Sequence, residues 1–200
     1  MDGIILIDKQ KEYTSHDIVA IVKKISNEKV GHTGTLDPMA TGVLPLLIGN
    51  ATKISKYLIN HDKTYIATLK LGIKTDTADS EGKIIEEKLV PNLTKDRIEK
   101  VLESIIGKQE QVPPIYSAIK VNGKRLYEYA RKGQKAEIKP RIIEIYRTEL
   151  IEFNKEENYI KFELACSKGT YVRTVCEKVA EKLETVRIYR KFKKNSSWKI

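Results

Sequence analysis

The segment Gly31-His32-Thr33-Gly34-Thr35-Leu36-Asp37-Pro38-Met39-Ala40-Thr41-Gly42 carries one carboxylate, Asp37, and one imidazole, His32. Three glycines and a proline in twelve residues keep its backbone out of helix and strand. Catalytic groups often sit on such loops when rigid elements pin their ends. A carboxylate there can serve as a nucleophile or stabilise developing charge. The competing reading is structural: Asp37 caps the next element and the glycines only serve the turn. Other chemistries are excluded by pattern. There is no G-x-x-x-x-G-K-[ST] phosphate loop and no G-x-G-x-x-G dinucleotide fingerprint. His16, His32 and His61 are not spaced with Cys166 and Cys176 as zinc ligands. Neither H-E-x-x-H nor G-x-S-x-G occurs. No metal and no cofactor is expected.

Flanking elements must hold this loop. Ile4 to Asp8 reads as a buried strand. Thr14 with Asp17 is a capping-box pattern, and a helix should follow with Ile18, Val19, Ile21, Val22 and Ile25 on its apolar side. Val43 to Ile48 is a strand candidate whose Pro45 points to an edge or a strand end. Asn50 can cap a short helix carrying Ile54, Tyr57 and Leu58. Tyr65, Ala67, Leu69 and Leu71 alternate with Ile66, Thr68 and Lys70, a half-buried strand in which Tyr65 reads as a core tyrosine. Residues 72–82 read as polar loop.

Further on, Ile98, Val101, Leu102 and Ile105 have helical spacing behind a Thr94 cap. Ser117 to Val121 is a strand entering a tight Asn122-Gly123 turn, and a short helix from Leu126 to Lys132 stops at Gly133. Two long strands, about Ile142–Phe153 and Tyr159–Ser167, face each other. Val172, Val175, Cys176, Val179, Ala180 and Leu183 form an amphipathic stripe, with Arg173 beside it as a surface arginine would be. Interspersed strands and helices, with several hairpins, predict an α+β fold: a mixed, largely antiparallel sheet flanked by helices.

Net charge is +10, from 37 basic and 27 acidic side chains, which favours a polyanionic partner such as RNA; a basic enzyme with no such partner is the alternative. Hydrophobic residues make up 40%, enough for a sizeable core. No run of 18 apolar residues suggests a membrane span, and the start reads as a strand, not a signal peptide. Two cysteines form no disulfide framework. A reduced, cytoplasmic setting is the expectation.

The segment from Gly31 through Gly42 to Pro45 resembles the signature of the TruB family of tRNA pseudouridine synthases. In the same order, Asp62–Tyr65, Gly72–Asp79, Pro113–Lys120, Gly123–Arg131 and Cys166–Thr174 resemble further family segments, so the likeness runs over about residues 3 to 183. The resemblance implies a pseudouridine-synthase-like catalytic core over 1–183. It implies isomerisation of the T-loop uridine of tRNA (position 55) to pseudouridine, by base flipping and an aspartate-dependent mechanism. Asp37 is then the catalytic carboxylate. Tyr65 stacks on the target base and takes part in proton transfer, and Arg173 pairs with the aspartate. Tyr171 lines the uridine pocket, and His32 enters the T-loop where the base was. Lys9 lies in the family's first motif and, with Phe192, is assigned to substrate binding. The reaction needs neither cofactor nor metal. The partner is the tRNA T-arm, no membrane is involved, and a monomer is expected.

Two regions depart from the family pattern. In the first motif Gln10 stands where proline is usual and Glu12 where glycine is usual. A left-handed Glu12 would be strained by roughly 1–2 kcal/mol. After Leu183 both family glycines are replaced, and Phe192 stands where a pocket leucine is usual. Residues 184–200 therefore read as a divergent basic segment, with the family's C-terminal RNA-binding domain absent. Arg187, Arg190, Lys191, Lys193, Lys194 and Lys199 give it six positive charges with no acid after Glu184. Glu184 is expected in the left-handed conformation, and the segment from Val186 on is expected to be loosely held. These departures support an alternative: a non-catalytic or weakly active tRNA-binding or tRNA-folding protein derived from such a synthase.

Overall fold

Capping and alternation account for most elements of the computed structural model, which describes residues 1–59, 61–76 and 82–195. The chain forms two units, Met1–Ile66 with the residues from Lys191 on, and Ala67–Arg190.

The first unit runs β1 (Gly3–Lys9), α1 (Ser15–Ser26), β2 (Val30–His32), β3 (Thr41–Ile48), a 3-10 turn (Gly49–Ile54), α2 (Ser55–Leu58) and the start of β4 (Lys63–Leu71). The capping box at α1 is present: Asp17 N–H donates to Thr14 Oγ1 at 3.1 Å, and Thr14 N–H donates to Asp17 Oδ2 at 2.7 Å. Such a cap is worth about 1 kcal/mol. The apolar side expected for α1 is not a buried one. Only Ser15 of the helix is buried, while Ile21 and Ile25 are 45% and 80% exposed.

Strand β3 is central in this unit, not an edge. It pairs antiparallel with β1 from Gly3↔Ile48 to Lys9↔Gly42, and with β2 from Val30↔Ile48 to His32↔Leu46. Leu44, Leu46 and Leu47 are wholly buried on it. Pro45 is tolerated because N and O of one strand residue face the same neighbour. Its carbonyl accepts from Thr33 N–H at 3.3 Å, just after β2 has ended, so the missing proline N–H faces a loop and breaks no ladder bond. Asn50 caps nothing. Its amides instead donate to the Asp2 carboxylate, at 2.6 Å from the backbone and 3.0 Å from the side chain, so the chain's own start holds this turn.

The second unit contains β5 (Ile73–Thr75), β6 (Ile84–Glu87), α3 (Lys95–Glu103), β7 (Gly107–Gln111), β8 (Lys120–Val121), β9 (Lys124–Arg125), α4 (Leu126–Arg131), β10 (Arg141–Asn154), β11 (Tyr159–Cys166) and α5 (Val172–Lys182). Strand β10 lies between β11 and β7, both antiparallel. The stripe of α5 is buried as predicted, from Val172 through Leu183. β5 lies within residues 72–82, where a polar loop was expected, and pairs with β6; of the residues between the two strands, 77–81 lie outside those described. The family segment ending at Asp79 is therefore described only to Asp76. With a single parallel pairing among the described ladders, the fold is α+β with a mixed, largely antiparallel sheet, as predicted.

Within the basic C-terminal segment, Arg187–Asn195 form β12, which pairs parallel with β3 through Lys193↔Thr41 and Lys194↔Gly42. Gly42 makes this possible. A Cβ there would lie 2.4 Å from the Lys194 carbonyl oxygen, and Gly42 has φ +106°. Main-chain pairing does not depend on side-chain polarity, so a run of lysines can still complete a ladder.

Before β12, Glu184 is left-handed as expected, with φ 61°. Its N–H donates to Glu181 O at 2.9 Å and Thr185 N–H donates to Ala180 O at 3.1 Å, a Schellman pattern closing α5. Its carboxylate pairs with Arg97 at 3.1 Å, with side chains 40% and 73% exposed. An exposed pair contributes about 0–1 kcal/mol, no more than the roughly 1–2 kcal/mol of strain. Glu184→Gly is therefore expected to raise Tm by about 2–4 °C for a chain of this size, measured by calorimetry. An unchanged or lower Tm would show that the ion pair outweighs the strain.

Candidate active site

The Asp37 loop is fixed through its backbone by groups from the β1–α1 region. Lys9, the last residue of β1, is wholly buried. Its ammonium donates to Gln10 O at 2.8 Å, Tyr13 O at 2.7 Å and Pro38 O at 3.0 Å. An ammonium has three donors, so all are used. Burial pushes the Lys9 pKa down, and the carboxylates of Asp37 and Asp17 push back. Pro38 O also accepts from Glu12 N–H at 3.0 Å, which Glu12 reaches with φ 71°. On the other side of Asp37, buried Ser15 accepts from Leu36 N–H at 2.8 Å and returns a longer bond to Leu36 O at 3.4 Å. A turn bond from Ala40 N–H to Asp37 O, 3.0 Å, closes the loop. The residues on both sides of Asp37 are thus tied to one short stretch, Lys9–Ser15.

His32 ends β2 beside this loop. Its ring meets that of His16 edge-on, with centroids 5.4 Å apart and planes at 80°. Its Nδ1 is buried without a hydrogen-bond partner among the described residues. Burial, then His16 and Lys194, hold its pKa below the ordinary imidazole value, against a backbone contact to Gly34. Tyr65 lies on β4 in the buried alternation with Ala67, Leu69 and Leu71, and is 9% exposed.

Of the predicted site residues, Lys9, His32, Asp37 and Tyr65 lie in the first unit, and Tyr171 and Arg173 in the second. Phe192 lies on β12, but its side chain is outside what the structure describes. In the second unit Tyr171 precedes α5. Its N–H donates to Gln111 Oε1 at 2.8 Å, and its carbonyl accepts from Gln111 Nε2 at 3.1 Å. Arg173, in the first turn of α5, donates to Tyr116 O at 2.9 Å. Ser15 and Gln111 escape sequence reasoning. Ser15 reads as an ordinary first helical residue, and Gln111 is one polar residue in a polar run ending β7. Among the described residues no group of three or more His, Cys, Asp or Glu could hold a metal ion. No described helix is long and apolar enough to cross a membrane.

Comparison with known proteins places the chain among relatives. The tRNA pseudouridine synthase B of Clostridium kluyveri is 50% identical over 92% of this chain and 63% of its own length. That of Francisella tularensis is 47% identical over 92% and 61%, and that of Caldanaerobacter subterraneus 47% over 92% and 65%. The chain thus spans less than two thirds of these relatives. Among solved structures, a chain of a Cbf5-Nop10-Gar1 complex superposes with TM-score 0.74 at 28% identity, covering 97% of this chain and 48% of that one. Residues 22–172 match the N-terminal domain of the TruB family pseudouridylate synthases, three quarters of the chain and the whole Asp37 loop, and the chain belongs to that family.

Proposed function

We propose that this protein isomerises a uridine in the T-loop of tRNA to pseudouridine, with Asp37 as the catalytic carboxylate. The observation that carries this reading is a carboxylate on an irregular loop whose backbone is pinned on both sides, in a chain of this family. The reaction breaks the bond from ribose C1′ to N1 of uracil, rotates the base, and joins C1′ to C5. N1 gains a proton and the C5 proton is lost, so atoms and electrons balance with no external reagent. Asp37 serves as nucleophile or charge stabiliser while the base is detached.

The T-loop uridine must first leave its stack, at a cost of a few kcal/mol. Stacking on Tyr65 returns about 1–3 kcal/mol. The His32 ring, whose charged form burial disfavours, is suited to fill the vacated place, since an uncharged imidazole enters a base stack with less desolvation. Tyr171 lines the uridine pocket, and Arg173 supplies the guanidinium that keeps the carboxylate ionised. Lys9 acts by positioning: its donors are used on carbonyls, so it fixes the Asp37 loop and does not bind the substrate directly.

Asp37→Asn is expected to abolish tritium release from 5-labelled uridine in tRNA while leaving tRNA affinity within a few-fold of the parent. Appreciable turnover would remove Asp37 from the chemistry, and a parent that binds tRNA without turnover would support the non-catalytic alternative. Tyr65→Phe should lower kcat with little change in affinity; parental turnover would leave the ring with stacking alone. Lys9→Met should cost about 3 kcal/mol or more in denaturant unfolding, because three buried carbonyls lose a charged donor. In the fraction that stays folded, kcat should fall more than KM rises. A fully stable variant would show that the loop is held by other bonds.

A further inference from the structure

The molecule has a second buried lysine whose surroundings are opposite to those of Lys9. Lys194, on β12, is 5% exposed, and no described carboxylate is paired with it. A cation, Lys63, is a charged neighbour of Lys194 among the described residues. Lys63, at the start of β4, raises the cost of its charge, and Lys194 in turn disfavours protonation of His32. Lys63 is anchored by Ile59 O at 3.3 Å and His61 O at 2.7 Å, and its stem passes 3.9 Å from where a Cβ on Gly34 would lie. Lys194 is itself held in place by the pairing of its backbone with Gly42. Both lysines therefore sit against the two ends of the loop that carries Asp37, one at Gly34 and one at Gly42. A buried charge with no counter-ion and a like charge beside it is an unfavourable arrangement for folding alone. It becomes favourable when an anion arrives.

We propose that Lys194, with Lys63 beside it, forms a binding site for a backbone phosphate of the RNA next to the everted uridine. This rests on the reading of the chain as an RNA uridine isomerase. A phosphodiester fits because it carries one permanent negative charge with two free oxygens and lies within a nucleotide of any base being flipped. The isolated protein holds the Lys194 pKa down to about 8, by burial first and by Lys63 second. Among the described residues, Lys63 from β4 and His32 from β2 face it electrostatically. Only the charged ammonium attracts phosphate, so RNA affinity should fall as pH rises through about 8. The folded pKa lies below the ordinary 10.5, so below about pH 8 the charge costs folding stability, and that cost fades as pH rises toward 10.5.

The test uses the full chain, a synthetic T-arm hairpin RNA, and the variants Lys194→Met and Lys24→Met. The latter removes the same charge from the exposed side of α1. Lys194→Met should fold with Tm at or above the parent's. It should bind the hairpin about tenfold more weakly near 0.05 M salt, with the log–log salt slope reduced by about 0.7–0.9, one phosphate's share. Its affinity should also lose the decline above pH 8 that the parent shows, whereas Lys24→Met should keep that decline. Parental affinity and slope in a folded Lys194→Met, or equal losses in both variants, would overturn the site. A parent that binds the hairpin with this Lys194 dependence but forms no pseudouridine would remove the isomerase reading and leave the phosphate site standing. A parent that binds no RNA would overturn both.

Discussion

The Lys9 ammonium and its three carbonyl acceptors are the interaction on which the first unit depends. Moving a lysine charge out of water costs several kcal/mol even after relaxation, and only good geometry returns it. Here Gln10, Tyr13 and Pro38 each supply a carbonyl at 2.7–3.0 Å, and the Asp37 and Asp17 carboxylates favour the same charge. Three segments are joined through one atom: the end of β1, the turn into α1, and the loop after β2. An apolar side chain could fill the space but could not satisfy three carbonyls. The left-handed Glu12 belongs to the same construction, since its N–H reaches the carbonyl that Lys9 also binds. Its strain is the local cost of bringing the first loop against the second.

That clamp ties down the irregular backbone on which Asp37 sits. Strand β3, between β1 and β2, fixes the far end of the loop, and Gly42 at its start admits the β12 backbone. The loop is therefore bounded by a charged hub at Pro38 and a steric gate at Gly42. Its length is set between them. This explains why glycine and proline, usually signs of freedom, coexist here with a determined position for a carboxylate.

Elements with their own periodicity were legible. The α5 stripe, the alternation through Tyr65 and the Thr14–Asp17 box are local patterns, and each appears where the spacing puts it. Elements defined by their partners were not. β7 is a polar run that becomes a strand only because β10 lies beside it. Pro45 suggested an edge because a proline reveals its missing donor and not which neighbour that donor would have faced. β12 did not stand out as a strand because side-chain charge says little about main-chain pairing. The same limit applies at the site. Asp37 stands out in its loop, but the use of Lys9 as a hub depends on three carbonyls, and carbonyls have no signature in a sequence. Gln111, which clamps the backbone before Arg173, is likewise ordinary in type and informative only in position.

The two buried lysines show how a fold can divide one kind of cost. Net stability of a domain is about 5–15 kcal/mol, so two uncompensated buried charges would take much of it. Two fully compensated ones would leave nothing for a substrate to neutralise. Lys9 is compensated inside the protein and so contributes rigidity. Lys194 has no ion-pair partner among the described residues and has Lys63 near it, and so holds back part of its favourable energy until an anion is present. A polyanionic substrate suits this division, because it carries its counter-charges to the site and meets groups whose positions are already set. Backbone pairing at Gly42 fixes Lys194 before binding, so little ordering remains to be done when the phosphate arrives. The basic segment that looked like a loose tail is, on this account, the part of the unit whose placement matters most for charge.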